Sequence, residues 1–256
     1  MLRWRFATAL VLAPAIIGAI YWGRLAVVCV VLLFTALAAY ELSRALQPLP
    51  YPAVLGAAVL PILLAGPLDE AGVLAGVMLA LPWTLFWIMA LPQLRTLRSV
   101  LAPMMGAVWI GAAFAHIVLL VELPETVIPV LVAVVGPWVS DTGAYFSGRL
   151  FGRRLIFPLA SPKKTFEGAA GGLVLTVAVL VLASFATDEI GLLTAIILGL
   201  VVSFFSQAGD LFESLLKRML EIKDFGTIFP GHGGALDRID SLLFTAPAVY
   251  YTFLIL

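Results

Sequence analysis

The C-terminal part of the chain contains acidic residues at spacings that could bind a metal ion. Four polar residues recur at intervals of three or four and would share one face of a helix: Gln207, Asp210, Ser214 and Lys217. Glu213 lies beside them, and Asp237 and Asp240 stand where the last apolar run begins. Mg²⁺ is usually held by carboxylate oxygens together with substrate phosphates. We therefore expect a metal site built mainly on Asp210 and Asp237, with Glu213 as a further ligand; the alternative for Asp237 and Asp240 is simple helix capping.

A run of small residues precedes these last two acids. Backbone N–H groups of such a run, Gly231-His232-Gly233-Gly234, can approach a phosphate closely, and the start of a helix favours an anion. We expect His232, Gly233 and Gly234 to contact substrate. The alternative is an ordinary glycine turn.

A second polar constellation lies upstream, in two stretches that run from Asp141 to Tyr145 and from Ser161 to Gly168. Basic residues cluster around it, namely Arg149, Arg153, Arg154, Lys163 and Lys164. Such a cluster could serve only to set membrane topology or to bind anionic headgroups. The mixture of hydroxyl, cationic and acidic side chains at a helix entry favours phosphate binding instead. The candidates are Asp141, Arg149, Ser161, Lys163, Lys164, Thr165 and Glu167.

The elements that position these residues must lie in a membrane. Hydrophobic residues make up 62% of the 256 residues and charged residues 12%, whereas soluble domains carry about 25% charged residues. The formal net charge of +0 gives no indication of a nucleic-acid partner. Cys29 is the single cysteine, so an intrachain disulfide is impossible.

Apolar runs of bilayer length predict nine transmembrane helices in an all-α, polytopic fold. The runs are roughly 6–22, 25–43, 51–67, 71–91, 100–121, 127–147, 168–186, 190–208 and 239–256. With the N-terminus in the cytoplasm and the C-terminus outside, all of the 15 basic residues except Arg24 lie on the cytoplasmic side. The acids on that side are not explained by topology, and they indicate a site facing the cytoplasm.

We predict one domain over residues 1–256. Helices of residues 1–126 would form a scaffold, and residues 127–256 would supply the site and its cytoplasmic loops. Within the scaffold, Glu41 is expected to pair with Arg44.

Residues 214–240, here called the signature segment, resemble the signature of phosphatidate cytidylyltransferases. The matching residues are Ser214, Lys217-Arg218, Lys223-Asp224, Gly226, His232-Gly233-Gly234, Asp237-Arg238 and Asp240. Ala235 departs from the pattern, where a larger aliphatic residue is usual. The stretches around Asp141 and Ser161 also resemble that family, whereas the N-terminal half is similar only in hydropathy.

The resemblance implies that CTP and phosphatidic acid react to give CDP-diacylglycerol and pyrophosphate at the cytoplasmic face of the inner membrane. It also implies Mg²⁺, room for a second, monovalent cation such as K⁺, and a homodimer among membrane lipids. Asp210, Asp237, Lys164, Lys217 and Arg238 would be catalytic. Further substrate contacts would come from Gln207, Ser214, Arg218, Lys223, Asp224 and Asp240. The alternatives are another CTP-dependent lipid transferase, a polyprenol kinase, or an anion transporter.

Overall fold

The fold was analysed in a computed structural model that describes residues 2–46, 50–123, 127–158, 160–229 and 233–256, with side chains from residue 10 onward. Helices dominate the described residues, as predicted. In chain order they are α1 (Leu2–Trp22), α2 (Arg24–Ala45), α3 (Tyr51–Ala90), α4 (Leu97–Met105), α5 (Ala113–Glu122), α6 (Ile128–Phe151), α7 (Phe166–Ser184), α8 (Leu192–Met219) and α9 (Leu236–Ile255). A 3₁₀ turn (Pro92–Leu94) precedes α4, and a π-helix (Gly106–Ala112) joins α4 to α5.

Apolar helices of bilayer length make the chain an integral membrane protein. Six stretches among the described residues are long and apolar enough to cross a membrane: Arg24–Ala45, Tyr51–Ala90, Leu97–Glu122, Ile128–Phe151, Phe166–Ser184 and Leu192–Met219. The prediction of nine spans is not settled by this set. The helices agree in position with the predicted runs, except that α8 continues well past the expected end of its run at residue 208.

Helix α3 folds back on itself at Asp69, whose backbone has φ 50° and ψ −135°. The indole Nε1 of Trp83 donates to the carbonyl of Ala53 at 2.9 Å, so the two ends of α3 lie side by side. A Cβ on Gly72 would overlap the carbonyl of Leu64, which shows how closely the arms approach. The 40-residue helix is therefore an antiparallel hairpin with its turn at Asp69.

The all-α expectation fits the described residues, and a short pair of strands lies in the segment between α6 and α7. Strands β1 (Leu155–Phe157) and β2 (Ser161–Thr165) pair in antiparallel fashion there, with Leu155 opposite Thr165 and Phe157 opposite Ser161. The sequence of β2, Ser-Pro-Lys-Lys-Thr, lacks the apolar alternation that predicts a strand. Pairing with β1 overrides that weak local preference.

The chain divides into two compact units. One comprises Met1–Leu123 and Ile222–Ile239, and the other comprises Pro124–Glu221 and Asp240–Leu256. The boundary divides the signature segment, because Ile222–Ile239 belong with the N-terminal helices, whereas residues 214–221 and Asp240 belong to the second unit.

In the second unit, small residues allow α6, α7 and α8 to pack closely. A Cβ on Gly143 would come within 2.8 Å of the carbonyl of Gly171, and one on Gly199 within 2.7 Å of the Cα of Val177. Side-chain hydrogen bonds join the same helices: Ser140 and Ser203 are 3.2 Å apart through their hydroxyls. Small residues and interhelical hydrogen bonds are the usual means of packing helices in lipid, and here they hold α6, α7 and α8 together.

Candidate active site

The predicted polar face of α8 is formed in the second unit. Helix α8 runs to Met219, so Asp210, Ser214 and Lys217 lie on consecutive turns. The Ser214 hydroxyl donates to Asp210 Oδ1 at 3.4 Å, and Lys217 Nζ lies 2.6 Å from Glu213 Oε2. Gln207 donates instead to the carbonyl of Ala169 at 3.2 Å and to the Ser203 hydroxyl at 2.9 Å, which ties α8 to α7.

Three carboxylates converge at this point, and we call Asp210, Glu213 and Asp240 the acidic cluster. Each offers an oxygen, and these oxygens all lie within 4.8 Å of one another. Gly209 makes the approach of α9 possible, because a Cβ there would lie 2.6 Å from the carbonyl oxygen of Asp240. Glu213 is only 2% exposed, so its charge has lost most of its hydration.

Two lysines offset the negative charge of the acidic cluster. Lys164 Nζ lies 2.6 Å from Asp210 Oδ2, and both side chains keep about a third of their exposure (29% and 33%). Lys217 is more enclosed, with 16% exposure beside Glu213. Carboxylates this close repel one another unless cations lie between them. Their oxygens are also the ligands that a small divalent cation prefers, so the cluster fits such an ion.

The hairpin of β1 and β2 delivers Lys164 to the acidic cluster. At its base, Glu167 Oε2 accepts hydrogen bonds from the backbone N–H groups of Arg153 at 3.0 Å and Arg154 at 3.2 Å. The Thr165 hydroxyl caps α7 by accepting from Gly168 N at 3.1 Å. Arg218 Nε donates to the carbonyl of Ala160 at 3.4 Å, which connects the hairpin to α8. Thr165, Glu167 and Arg218, predicted to bind substrate, thus have a structural part in holding the hairpin.

In the first unit, Asp237 binds the loop that precedes α9. Its Oδ2 accepts hydrogen bonds from Phe225 N at 3.0 Å and from Gly234 N at 2.8 Å. Gly233 takes a positive φ of 82°, a conformation that favours glycine, and its carbonyl accepts from Phe229 N at 3.0 Å. The Gly234 N–H predicted to face a phosphate is thus bound to Asp237, and its contact with substrate stays a prediction.

The predicted site residues fall in both units. Those in the second unit are Asp141, Arg149, Ser161, Lys163, Lys164, Thr165, Glu167, Gln207, Asp210, Glu213, Ser214, Lys217, Arg218 and Asp240; those in the first are Lys223, Asp224, Gly233, Gly234, Asp237 and Arg238. His232 lies outside the described residues. Arg149, which is exposed, donates to the Tyr145 hydroxyl at 2.9 Å, one turn earlier on α6.

Sequence reasoning missed Glu41, whose expected pairing with Arg44 is wrong. The Glu41 carboxylate accepts backbone hydrogen bonds from Ala235 and Leu236, whereas Arg44 donates to the Tyr40 hydroxyl at 3.3 Å. A buried acid near the end of an apolar helix was the available signal, since such residues usually have a specific partner.

The fold and the site together indicate a helical membrane protein. Its carboxylates and lysines are clustered near the C-terminal end of an apolar helix. The model of the cytidylyltransferase family matches residues 3–256, so the chain belongs to that family.

Relatives with known names agree with this assignment. The chain is 41% identical over 152 residues to a phosphatidate cytidylyltransferase of Bacillus subtilis, covering 57% of this chain and 55% of the relative. It is 41% identical over 145 residues to that of Staphylococcus saprophyticus (56% and 55% covered), and 42% over 120 residues to that of Aquifex aeolicus (47% and 45%). The matched parts span about half the length of these relatives.

Proposed function

We propose that this protein transfers CMP from CTP to phosphatidic acid, which gives CDP-diacylglycerol and pyrophosphate. The observation that carries the proposal is the acidic cluster with Lys164 and Lys217, which includes Lys217 and Asp240 of the signature segment, in a member of the cytidylyltransferase family. The named relatives support the same substrates.

Mg²⁺ fits the acidic cluster, because three carboxylates supply the hard oxygen ligands that this ion takes in proteins. We propose Asp210 and Glu213 as ligands of this ion. Asp240 is proposed in addition because it belongs to the acidic cluster, and Asp237 is proposed because of its position in the sequence. When bound there, the ion would neutralise phosphate oxygens and raise the electrophilicity of phosphorus. A second, monovalent cation such as K⁺ remains part of the proposal and rests on the resemblance.

In the proposed reaction an oxygen of the lipid phosphate attacks the α-phosphorus of CTP. The new P–O bond forms as the bond between the α-phosphorus and the bridging oxygen of the β-phosphate breaks, and that oxygen leaves with pyrophosphate. Both reactants are anions, so positioning and charge stabilisation dominate the catalysis. Lys164, Lys217 and Arg238 would neutralise the reacting phosphates, and the remaining candidates of the two polar constellations would orient them.

We further propose the arrangement in the membrane. Nine spans, with a cytoplasmic N-terminus, would place the site at the cytoplasmic side of the inner membrane, where CTP is available and the lipid enters sideways. The hairpin shape of α3 supports counting two spans there, since each arm of about 20 residues reaches about 30 Å. A homodimer is proposed from the resemblance alone.

Purified protein incubated with labelled CTP tests the function. We expect pyrophosphate release and labelled CDP-diacylglycerol only when phosphatidic acid and Mg²⁺ are both present. Release of pyrophosphate without the lipid, or formation of CDP together with a phosphorylated polyprenol, would contradict the proposal. Uptake of an anion into proteoliposomes without any CMP transfer would favour the transporter alternative.

A further inference from the structure

Glu41 of α2 makes an unusual connection over a long stretch of the chain. It is 2% exposed, and both of its carboxylate oxygens are used: Oε1 accepts from Ala235 N and Oε2 from Leu236 N, each at 2.9 Å. Leu236 is the first residue of α9. The N–H groups at a helix start lack partners within the helix, and a residue about 195 positions earlier in the chain satisfies them here.

Two glycines of the loop make room for this carboxylate. A Cβ on Gly226 would overlap Glu41 Oε1, and a Cβ on Gly234 would overlap both carboxylate oxygens. For Gly226 the three nearest atoms all belong to Glu41. The absence of a side chain at Gly226, a position of the signature segment, therefore has a local physical reason: the carboxylate of Glu41 occupies that space.

The turn that Glu41 binds also carries Asp237. Three consecutive N–H groups are taken by carboxylates, since Gly234 N donates to Asp237 while Ala235 N and Leu236 N donate to Glu41. The orientation of the first turn of α9, and with it the Asp237 carboxylate, is thus fixed from α2. Burial of a carboxylate costs desolvation free energy, so simple packing does not explain the presence of Glu41 at this position.

Aromatic contacts attach the same loop to the N-terminal helices. The ring of Phe229 stacks on Phe34 of α2 with centroids 6.3 Å apart, and Phe225 packs on Trp109 of the π-helix, also at 6.3 Å. Among the described residues of this unit, Glu41 is thus a polar anchor between the loop and the N-terminal helices, and the two ring pairs are aromatic anchors. The polar anchor is the one that determines hydrogen-bond geometry at α9.

We propose that Glu41 is a positioning residue for CMP transfer, which holds the loop before α9 and the Asp237 carboxylate in the geometry that the reaction needs. The proposal rests on the proposed function. It assigns to the N-terminal half, expected to be scaffold, a part in the reaction that acts through Asp237.

The test measures kcat and the KM for CTP per folded molecule in the full-length protein. Displacement of a catalytic group by about 1 Å lowers rates by about 100-fold, so we expect Glu41→Ala to lower kcat/KM about 10- to 100-fold. Glu41→Gln, which keeps one oxygen acceptor, should lose less. The matched control is Ser43→Ala, a buried position of the same helix whose hydroxyl donates to the nearby Tyr40 carbonyl at 2.8 Å; it should retain wild-type kinetics.

A double-mutant cycle separates positioning from general damage. Gly226→Ala alone should lower activity because its Cβ displaces Glu41, whereas Glu41→Ala with Gly226→Ala should be no worse than Glu41→Ala. Losses that multiply in the double variant, or a wild-type kcat and KM in Glu41→Ala, would overturn the inference. If Glu41→Ala does not fold, Glu41→Gln provides the test. Wild-type kinetics in Glu41→Gln, together with an inactive Gly226→Ala variant, would also overturn the inference. An inactive wild-type protein would instead refute the proposed function.

Discussion

Carboxylates serve two different purposes in the two units of this protein. In the acidic cluster of the second unit, Asp210 and Glu213 are matched with the ammonium groups of Lys164 and Lys217 at 2.6 Å. In the first unit, Glu41 and Asp237 are matched with backbone N–H groups at 2.8–3.0 Å. A lysine side chain can move aside when another cation arrives. A backbone N–H can leave its partner only if the loop changes shape.

This contrast indicates which acids are available for chemistry. Hydrogen bonds from backbone N–H groups hold the carboxylates of Glu41 and Asp237 in fixed positions. Hydrogen bonds to charged groups are among the stronger ones in proteins. The Lys164–Asp210 ion pair of the acidic cluster is partly exposed and contributes less to stability. We therefore expect substitutions in the acidic cluster to affect activity first, and substitutions of the backbone-bound acids to affect stability as well.

The largest effect is expected for Asp210→Asn. Loss of one charged oxygen ligand should lower CMP transfer at least about 100-fold, because removal of a single group that stabilises transition-state charge commonly has that cost. Expression and the unfolding temperature should change little. Rates from purified protein, at several Mg²⁺ concentrations, give the measurement.

A matched control for that substitution is Asp188→Asn, which neutralises an exposed acid in the connection between α7 and α8. It should leave turnover unchanged. Wild-type-like turnover in Asp210→Asn itself would remove the acidic cluster from the proposed mechanism.

A smaller, different effect is expected for Asp237→Ala. Two backbone donors, Phe225 N and Gly234 N, lose their common acceptor, and each buried donor left unsatisfied costs about 1–3 kcal/mol. The free energy of unfolding should fall accordingly, together with activity. Thermal unfolding of Asp237→Ala and Asp210→Ala in detergent gives the measurement, and Asp237→Ala should lose more stability. A larger stability loss in Asp210→Ala would contradict the difference that we infer between the two units.

The sequence was informative where a signal is local. The polar face of α8 follows from the 3.6-residue period, so the grouping of Asp210, Ser214 and Lys217 could be predicted from residue spacing alone. Most helix positions followed from apolar runs, and the family assignment confirms the resemblance of the signature segment.

Non-local pairings could not be predicted in the same way. Nothing in the residues near Glu41 indicates a partner 194 positions later, and its neighbour Arg44 offered a misleading local alternative. Asp240 joins Asp210 and Glu213 only because Gly209 lets two helices approach. The hairpin of β1 and β2 is likewise supported by Glu167, which binds the backbone at Arg153 and Arg154, whereas Pro162, Lys163 and Lys164 of β2 have weak β preference.

The smallest effect is expected within the acidic cluster itself. Two neighbouring lysines of β2 provide the variants that test it. Lys164 contacts Asp210, whereas the adjacent Lys163 is exposed. Both Lys164→Gln and Lys163→Gln should lower the rate, because both remove positive charge near anionic substrates. Only Lys164→Gln also removes the ammonium that competes with a metal ion for Asp210. A partly exposed ion pair contributes at most about 1 kcal/mol, so the Mg²⁺ concentration for half-maximal rate should fall by up to about fivefold. Titration of Mg²⁺ with both variants gives this value, and an equal shift in the two, or a rise in Lys164→Gln, would show that Lys164 does not exchange with the metal.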